Sequence, residues 1–352
     1  MEIRTLKESE RDRLLDLLDQ WELQDGWRGR NFFRRSMDYD PSYRDRDFWV
    51  ATSGDALVAC VQVFPRRIRV LGHAIPTAGL GTLFTAQEHR GGGLASSLIK
   101  AAVEDMVEQG MEISLLHAQN QDIFTGLGWD SWTSDRSILR RVEAESFAAP
   151  PGSEAPKDPE IEIATFDHGR DLAAVKAIHS VYSASRSGTV VRDDERWAAS
   201  LCLAGNPMEE FLVARQAGTA VAYARCTLLA GILTLTELGR LEDASIALAL
   251  LVSNILEERE QDDLAPRGVS SRELRNAAML PAFDDLLFTV ALEHHGLTTH
   301  PVADPSSMMR CLNMNALAER LDIALFPDER PDGFLQRILP RDSLVFWPAD
   351  RF

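Results

Sequence analysis

Only four cysteines occur in the 352 residues, Cys60, Cys202, Cys226 and Cys311, and no two are spaced as C-x-x-C. Their wide separation among apolar or strand-like neighbours suits buried thiols and excludes a redox pair or a zinc framework. The eight histidines contain no H-x3-H or H-E-x-x-H pair. The adjacent His294 and His295 close an amphipathic stretch, where a helix C-terminus favours positive charge, so no metal is expected. Long apolar runs are missing too. Ile246–Val252 is among the longest, far short of the roughly 20 residues that cross a bilayer. The opening Met1-Glu2-Ile3-Arg4-Thr5-Leu6 turns at once to charge and lacks the apolar core of a secretory signal. A cytoplasmic protein without membrane contact is the expectation.

Positive charge is also scarce. The net charge is -17, and it is unevenly spread: residues 1–150 carry 18 basic and 23 acidic side chains, net -5, against 19 and 31, net -12, for residues 151–352. Nucleic acid as a partner is disfavoured, because its binding depends on lysines and arginines displacing phosphate counterions. A cationic small molecule is the better electrostatic match, and an anionic cofactor should prefer the first half.

A chain of this length predicts two domains. The boundary falls in residues 150–160, where Pro150, Pro151, Pro156 and Pro159 alternate with polar residues and no apolar period survives. Before it, the pattern predicts a helix from Glu8 to Gln20, helix or loop through Tyr43, a hairpin of Phe48–Thr52 and Leu57–Phe64, and strands at Ile68–Leu71 and Thr77–Thr85. A helix over Leu94–Gln109 and a buried strand over Glu112–His117 complete the half. After it the order recurs, with a helix at Leu172–Ser183, a hairpin over Phe211–Ala224, a strand at Leu233–Leu238 and a helix at Ser245–Glu260. The reading is an α/β (α+β) protein of two similar domains, residues 1–149 and 161–305, each a mixed, mostly antiparallel twisted sheet flanked by helices. Residues 306–352 form a C-terminal segment whose apolar ending, Phe346-Trp347-Pro348-Ala349-Asp350-Arg351-Phe352, suits a docked tail.

The most informative stretch runs from Leu83 to Ile99, a strand, three consecutive glycines (Gly91, Gly92, Gly93) and a helix. Glycines at positive φ let successive amide N–H groups point into one concavity, and the helix beginning at Leu94 adds its positive end. Arg90 and Ser96 can add side-chain donors. Neither GxxxxGK[ST] nor GxGxxG is present, which sets aside the two common nucleotide loops. Arg90-Gly91-Gly92-Gly93-Leu94-Ala95 resembles the Q/R-x-x-G-x-G/A signature of the GNAT superfamily of N-acetyltransferases, and Ile123-Phe124-Thr125-Gly126-Leu127-Gly128-Trp129 resembles its F-Y-x-x-L-G-F segment. This resemblance implies tandem GNAT-like domains with acetyl-CoA as cosubstrate. Backbone groups of Leu83, Phe84 and Thr85 would then bind the pantetheine arm, and Arg90 through Ser96, with Leu94 and Ala95 between, would hold the pyrophosphate. The tandem arrangement and the terminal phenylalanine are similar to the enhanced-intracellular-survival type of acetyltransferase, which implies the Phe352 carboxylate as candidate base.

The family's tyrosine, which protonates the departing thiolate, is replaced by Phe124. A thiolate is a tolerable leaving group, so the loss slows catalysis without necessarily abolishing it; His117 is one substitute donor. In the second half, Gly239-Arg240-Leu241-Glu242-Asp243-Ala244-Ser245 stands where a phosphate turn belongs, and its carboxylates would repel CoA. For a cationic amine acceptor, small molecule or lysine side chain, the candidates are Trp21, Asp25, Trp27 and Asp350, aromatic rings with carboxylates. Two functions follow: an acetyl-CoA-dependent N-acetyltransferase, or a catalytically weak acyl-CoA-binding or interaction protein. Homo-oligomerisation is left open.

Overall fold

The computed structural model describes residues 1–21, 28–132, 134–141, 160–203, 209–229, 232–261, 277–281, 284–304, 306–340, 344–347 and 350. Its first half begins with β1 (Glu2–Thr5), α1 (Arg11–Leu18) and α2 (Gly29–Tyr39), then β2 (Phe48–Ser53), β3 (Ala56–Val70) and β4 (His73–Thr85). There follow α3 (Leu94–Glu108), β5 (Ile113–His117), α4 (Asp122–Thr125), β6 (Asp130–Ser131) and β7 (Ser134–Arg141). The second half comprises β8 (Glu162–Thr165), α5 (His168–Ala184), α6 (Asp194–Leu203), β9 (Glu210–Gln216), β10 (Thr219–Leu229), β11 (Ile232–Arg240) and α7 (Ser245–Gln261). It continues with β12 (Ala277–Pro281), α8 (Leu286–His294) and β13 (Leu297–Asp304), and then β14 (Ser307–Cys311), α9 (Met314–Leu321) and α10 (Pro331–Ile338).

Two seven-stranded mixed sheets result, ordered β1-β2-β3-β4-β5-β14-β6 and β13-β7-β12-β11-β10-β9-β8. Read in opposite directions they are the same sheet. In each, three antiparallel pairings precede one parallel pair, β4 with β5 and β11 with β12, and two antiparallel pairings follow, the first of them to β14 or β7. That following strand comes from the other half of the chain. Strand β7, from before the linker, sits between β12 and β13, and β14, from the C-terminal segment, sits between β5 and β6. The halves are therefore joined by reciprocal exchange of one strand.

Strand β3 runs unbroken through Pro65, where two separate strands were expected. Its pairing with β2 ends at Gln62, so Pro65 lies where that edge is open and its missing N–H costs no ladder bond. The β3–β4 hairpin reaches into the second half. Arg69 N donates to Thr189 O at 2.8 Å, Gly188 N to Arg69 O at 2.7 Å and Val191 N to Arg67 O at 2.8 Å. Cys60 and Cys226 are buried and Cys311 is half-buried, but Cys202 on α6 is exposed, contrary to the expectation of four enclosed thiols.

The sheet faces explain the helices. Helix α3 buries Leu98, Ile99, Ala102, Val103 and Met106 against one face of the first sheet; α1 and α2 cover the other with Leu14, Leu18 and Phe33, and α9 and α10 extend that layer. In the second sheet α7 and α8 pack with Val345 and Trp347 of the C-terminal tail. The tail runs against residues 187–188: Val345 N donates to Ser187 O at 2.9 Å, and a Cβ on Gly188 would stand 2.6 Å from Val345 O. Gly188 also has φ +94°. Gly188→Ala combines left-handed strain with a backbone clash and should lower stability by about 2–3 kcal/mol in urea denaturation. An unchanged midpoint would show that the tail does not lie there in solution.

Candidate functional site

The site begins where β4 and β5 part. Their parallel pairing holds from Thr77 to Gly79 on β4 and ends there, while β4 continues to Thr85 with β3 alone. The departure has a local cause. Opposite Val61, β4 carries an extra residue: Cys60 faces Phe84 and Gln62 faces Gly81, and Thr82 takes φ +48°, rare for a β-branched residue. The bulge is held from beneath, since the Thr82 hydroxyl donates to Gln62 Oε1 at 3.1 Å and the Cys60 thiol to Thr82 O at 3.5 Å. Burial pushes that thiol up to about 12, so Cys60 is a structural donor and no nucleophile. Backbone groups on the β5 side of β4 beyond Gly79 thus face the opening with no strand to satisfy them.

Ala86 N then bonds Val58 O at 2.9 Å, a 3-10 turn spans Gln87–His89, and the chain enters the glycines. Gly91 and Gly93 have φ +79° and +76°; Gly92 does not need positive φ. Gly93 is the N-cap of α3 in the left-handed region and supplies no side chain, so no cap bond satisfies the helix's first N–H groups. The first N–H groups of α3, together with its positive end, are groups that can meet an anion. Arg90 braces the turn, its Nε donating to Thr85 O at 2.9 Å and its guanidinium lying 5.9 Å from the Phe84 ring centre.

One cleft of about 860 Å³ joins the two features. Of the cofactor residues expected from sequence, Leu83, Phe84, Thr85, Arg90, Gly91, Gly93, Leu94, Ala95 and Ser96 line it, and Gly92 does not. Gln20, Gln87 and Ile123 line it as well, which sequence reasoning missed. Trp21 lies in this same wall, 5.4 Å from Phe33 and 5.7 Å from Phe84 by ring centres. Asp25, Trp27 and Phe352 lie outside the described residues.

The remaining expected residues are separated. Phe124 is buried against α3 and meets Trp129 edge-on at 6.2 Å, so its ring belongs to the core while neighbouring Ile123 faces the cleft. His117 ends β5 half-buried, with Nδ1 3.1 Å from the Ser307 hydroxyl on β14 and its ring 5.5 Å from Phe346 of the tail. Asp350 is buried, and its charge is met by Arg192: Nε to Oδ1 at 2.9 Å and Nη2 to Oδ2 at 2.8 Å. No local sequence signal announces Ser307, Phe346 or Arg192 as neighbours of these residues.

The equivalent turn of the second half is plugged. Arg240 folds its guanidinium onto the carbonyls of Leu241 (3.0 Å) and Glu242 (2.6 Å) and pairs with Asp285 at 2.7 Å, the residue that caps α8. Among the described residues no His, Cys, Asp and Glu group could hold a metal, and no helix is long and apolar enough to cross a membrane.

Residues 2–131 match the family model of the acetyltransferase (GNAT) domain. Among solved structures, Eis1 from Mycobacterium abscessus is similar at 18% identity and TM-score 0.60, over 91% of this chain and 76% of that one. A GCN5-related N-acetyltransferase from Kribbella flavida is similar at 19% identity and TM-score 0.59, over 88% and 70%. N-myristoyltransferase from Saccharomyces cerevisiae, solved with bound myristoyl-CoA, is similar at 14% identity and TM-score 0.55, over 98% and 84%. No curated protein matches this chain in sequence.

Proposed function

Residues 2–131 match the acetyltransferase (GNAT) domain, and from this match we propose that the chain is an acyltransferase that transfers an acetyl group from acetyl-CoA to a cationic primary amine. The observation that carries the reading is continuity: the free edge of β4 runs directly into the uncapped, glycine-opened start of α3 along one cleft. A thioester carbonyl against Leu83–Thr85 meets backbone N–H donors placed to stabilise developing negative charge. The diphosphate meets the N–H groups of Gly91 through Ser96, with Arg90 beside it. The amine attacks the thioester carbon directly, a base takes its proton, and the thiolate leaves. Holding both reactants in line supplies much of the rate. The Phe352 carboxylate is the candidate base, and His117, fixed by Ser307 at the end of β5, stands where the tail passes.

Mixing the protein with acetyl-CoA and a panel of polyamines, aminoglycoside-like amines and lysine peptides, and reading released CoA with a thiol reagent, tests the proposal. Release above the hydrolysis background with at least one amine is expected. The second reading, an acyl-CoA binder of little turnover, is favoured by Phe124, which offers no hydroxyl and is engaged in the core. Binding without turnover on any amine would sustain it. Either way calorimetry should give one acetyl-CoA per chain, because Arg240 occupies the turn of the second half; two sites would overturn that account.

A further inference from the structure

The C-terminal tail is gripped twice. Its first hold is apolar: Leu344 and Val345 lie on Gly188, and Trp347 is buried among the side chains of the second sheet. The second is ionic and fully enclosed. Arg192, whose side chain has no exposed surface, lies between two carboxylates, Glu237 on β11 (Nη1 to Oε1 3.0 Å, Nη2 to Oε2 2.8 Å) and Asp350 in the tail, and stacks 4.7 Å from the Trp197 ring centre. Glu237 is itself fixed by Tyr223 Oη at 2.7 Å and Arg225 Nη1 at 3.3 Å. Burial opposes the charge of Glu237, yet Arg192 and Arg225 hold its carboxyl well below the usual range.

Such an enclosed set is a poor way to gain stability, since desolvating the charges consumes most of the Coulomb attraction, and apolar side chains of similar volume often do as well. What it supplies is geometry. A guanidinium held bidentate on one side by an immobile carboxylate presents its remaining N–H groups in one orientation, and Asp350 must meet them. Phe346, on the same tail, already touches His117 at the end of β5.

We propose that Arg192, oriented by Glu237, is a latch that closes on Asp350 and fixes the C-terminal tail at that point. Asp350 and Glu237 are positioning residues; neither needs to touch substrate. The catalytic consequence rests on the acetyltransferase reading with a terminal carboxylate as base, whereas the latch itself does not.

The test uses the full chain and two variants, Asp350→Asn, which keeps size and removes the charge, and Glu237→Gln, which has no contact with the tail. Amide hydrogen exchange over residues 344–350 is read beside kcat and the Kd for acetyl-CoA. Exchange in the tail should quicken at least tenfold in Asp350→Asn and by a smaller factor in Glu237→Gln. On the best amine kcat should fall at least tenfold, with Kd for acetyl-CoA within twofold of the wild type. Asp350→Glu, which restores the charge, should recover part of the loss. Wild-type exchange in folded Asp350→Asn would overturn the latch. Quickened exchange with wild-type kcat would uphold the latch and sink the terminal carboxylate as base. A wild-type protein that acetylates no amine would sink the acetyltransferase reading and leave the exchange result to decide the latch.

Discussion

Acetyl-CoA should no longer bind measurably when Gly91 and Gly93 are both replaced by valine, a loss of at least a hundredfold in affinity, while the protein stays folded. Both glycines sit at positive φ, where an L-residue costs about 1–2 kcal/mol and a β-branched one more. Two such replacements either reshape the turn or hold it open at a cost that binding must offset. Neither position is crowded, with no protein atom within 4 Å of a built Cβ, so the added side chains project into the space where the pyrophosphate must approach. All three glycines are exposed, and the core beneath α3 does not depend on them. Gly92→Ala is the internal control: its φ is ordinary and its Cβ would stand 3.9 Å from His89 O, so affinity should change little. Calorimetry of the three proteins decides the matter. Unchanged affinity in a folded double variant would reduce the glycine run to a tight turn with no ligand.

That turn was legible from sequence because its signal is local. Backbone freedom at Gly91 and Gly93, a helix period starting at Leu94 and a strand ending at Thr85 all lie within twenty residues; both ends of α3 and the end of β4 match expectation within a residue, while β4 starts four residues earlier, at His73. The hairpin of the second half was legible for the same reason: Ala217 and Gly218, both at positive φ, make the two-residue turn between β9 and β10. The apolar run Met308–Leu317 conceals a strand and a helix, and the divider is Asn313, whose side chain accepts from Ala316 N at 3.1 Å as an N-cap. The exchanged strands could not be read. Met308 and Met309 announce a buried strand, but nothing in them names β5 as its partner some 190 residues away, and the same alternation would satisfy its own half. Likewise Arg192 and Asp350 are two ordinary surface-type residues in the sequence, and only the packing of the tail makes them a buried pair.

Adding one glycine after Phe352 should lower kcat on the best amine by about 10² or more, with the Kd for acetyl-CoA unchanged. A positioned general base is typically worth 10²- to 10⁴-fold. A terminal carboxylate has an ordinary pKa near ~3.5, so it is ionised at neutral pH and becomes a useful base only where burial or a poorly solvated groove raises its proton affinity. The described part of the tail is enclosed. Trp347 is 1% exposed, Asp350 is buried in its pairing with Arg192, and Phe346 packs on the His117 ring at the open end of β5. One added residue moves the carboxylate by up to about 3.6 Å, beyond hydrogen-bond reach of its former place, yet leaves the tail's anchors through Asp350 unchanged. Deleting Phe352 should produce the same fall and also loosen the tail, so agreement between the two separates the carboxylate from the ring. Amidation of the terminus by chemical ligation gives a third arm, removing the charge with no added length. If the extended protein turns over at the wild-type rate, the aromatic ending is an anchor alone. The proton must then leave by another route, and His117→Asn becomes the variant to measure.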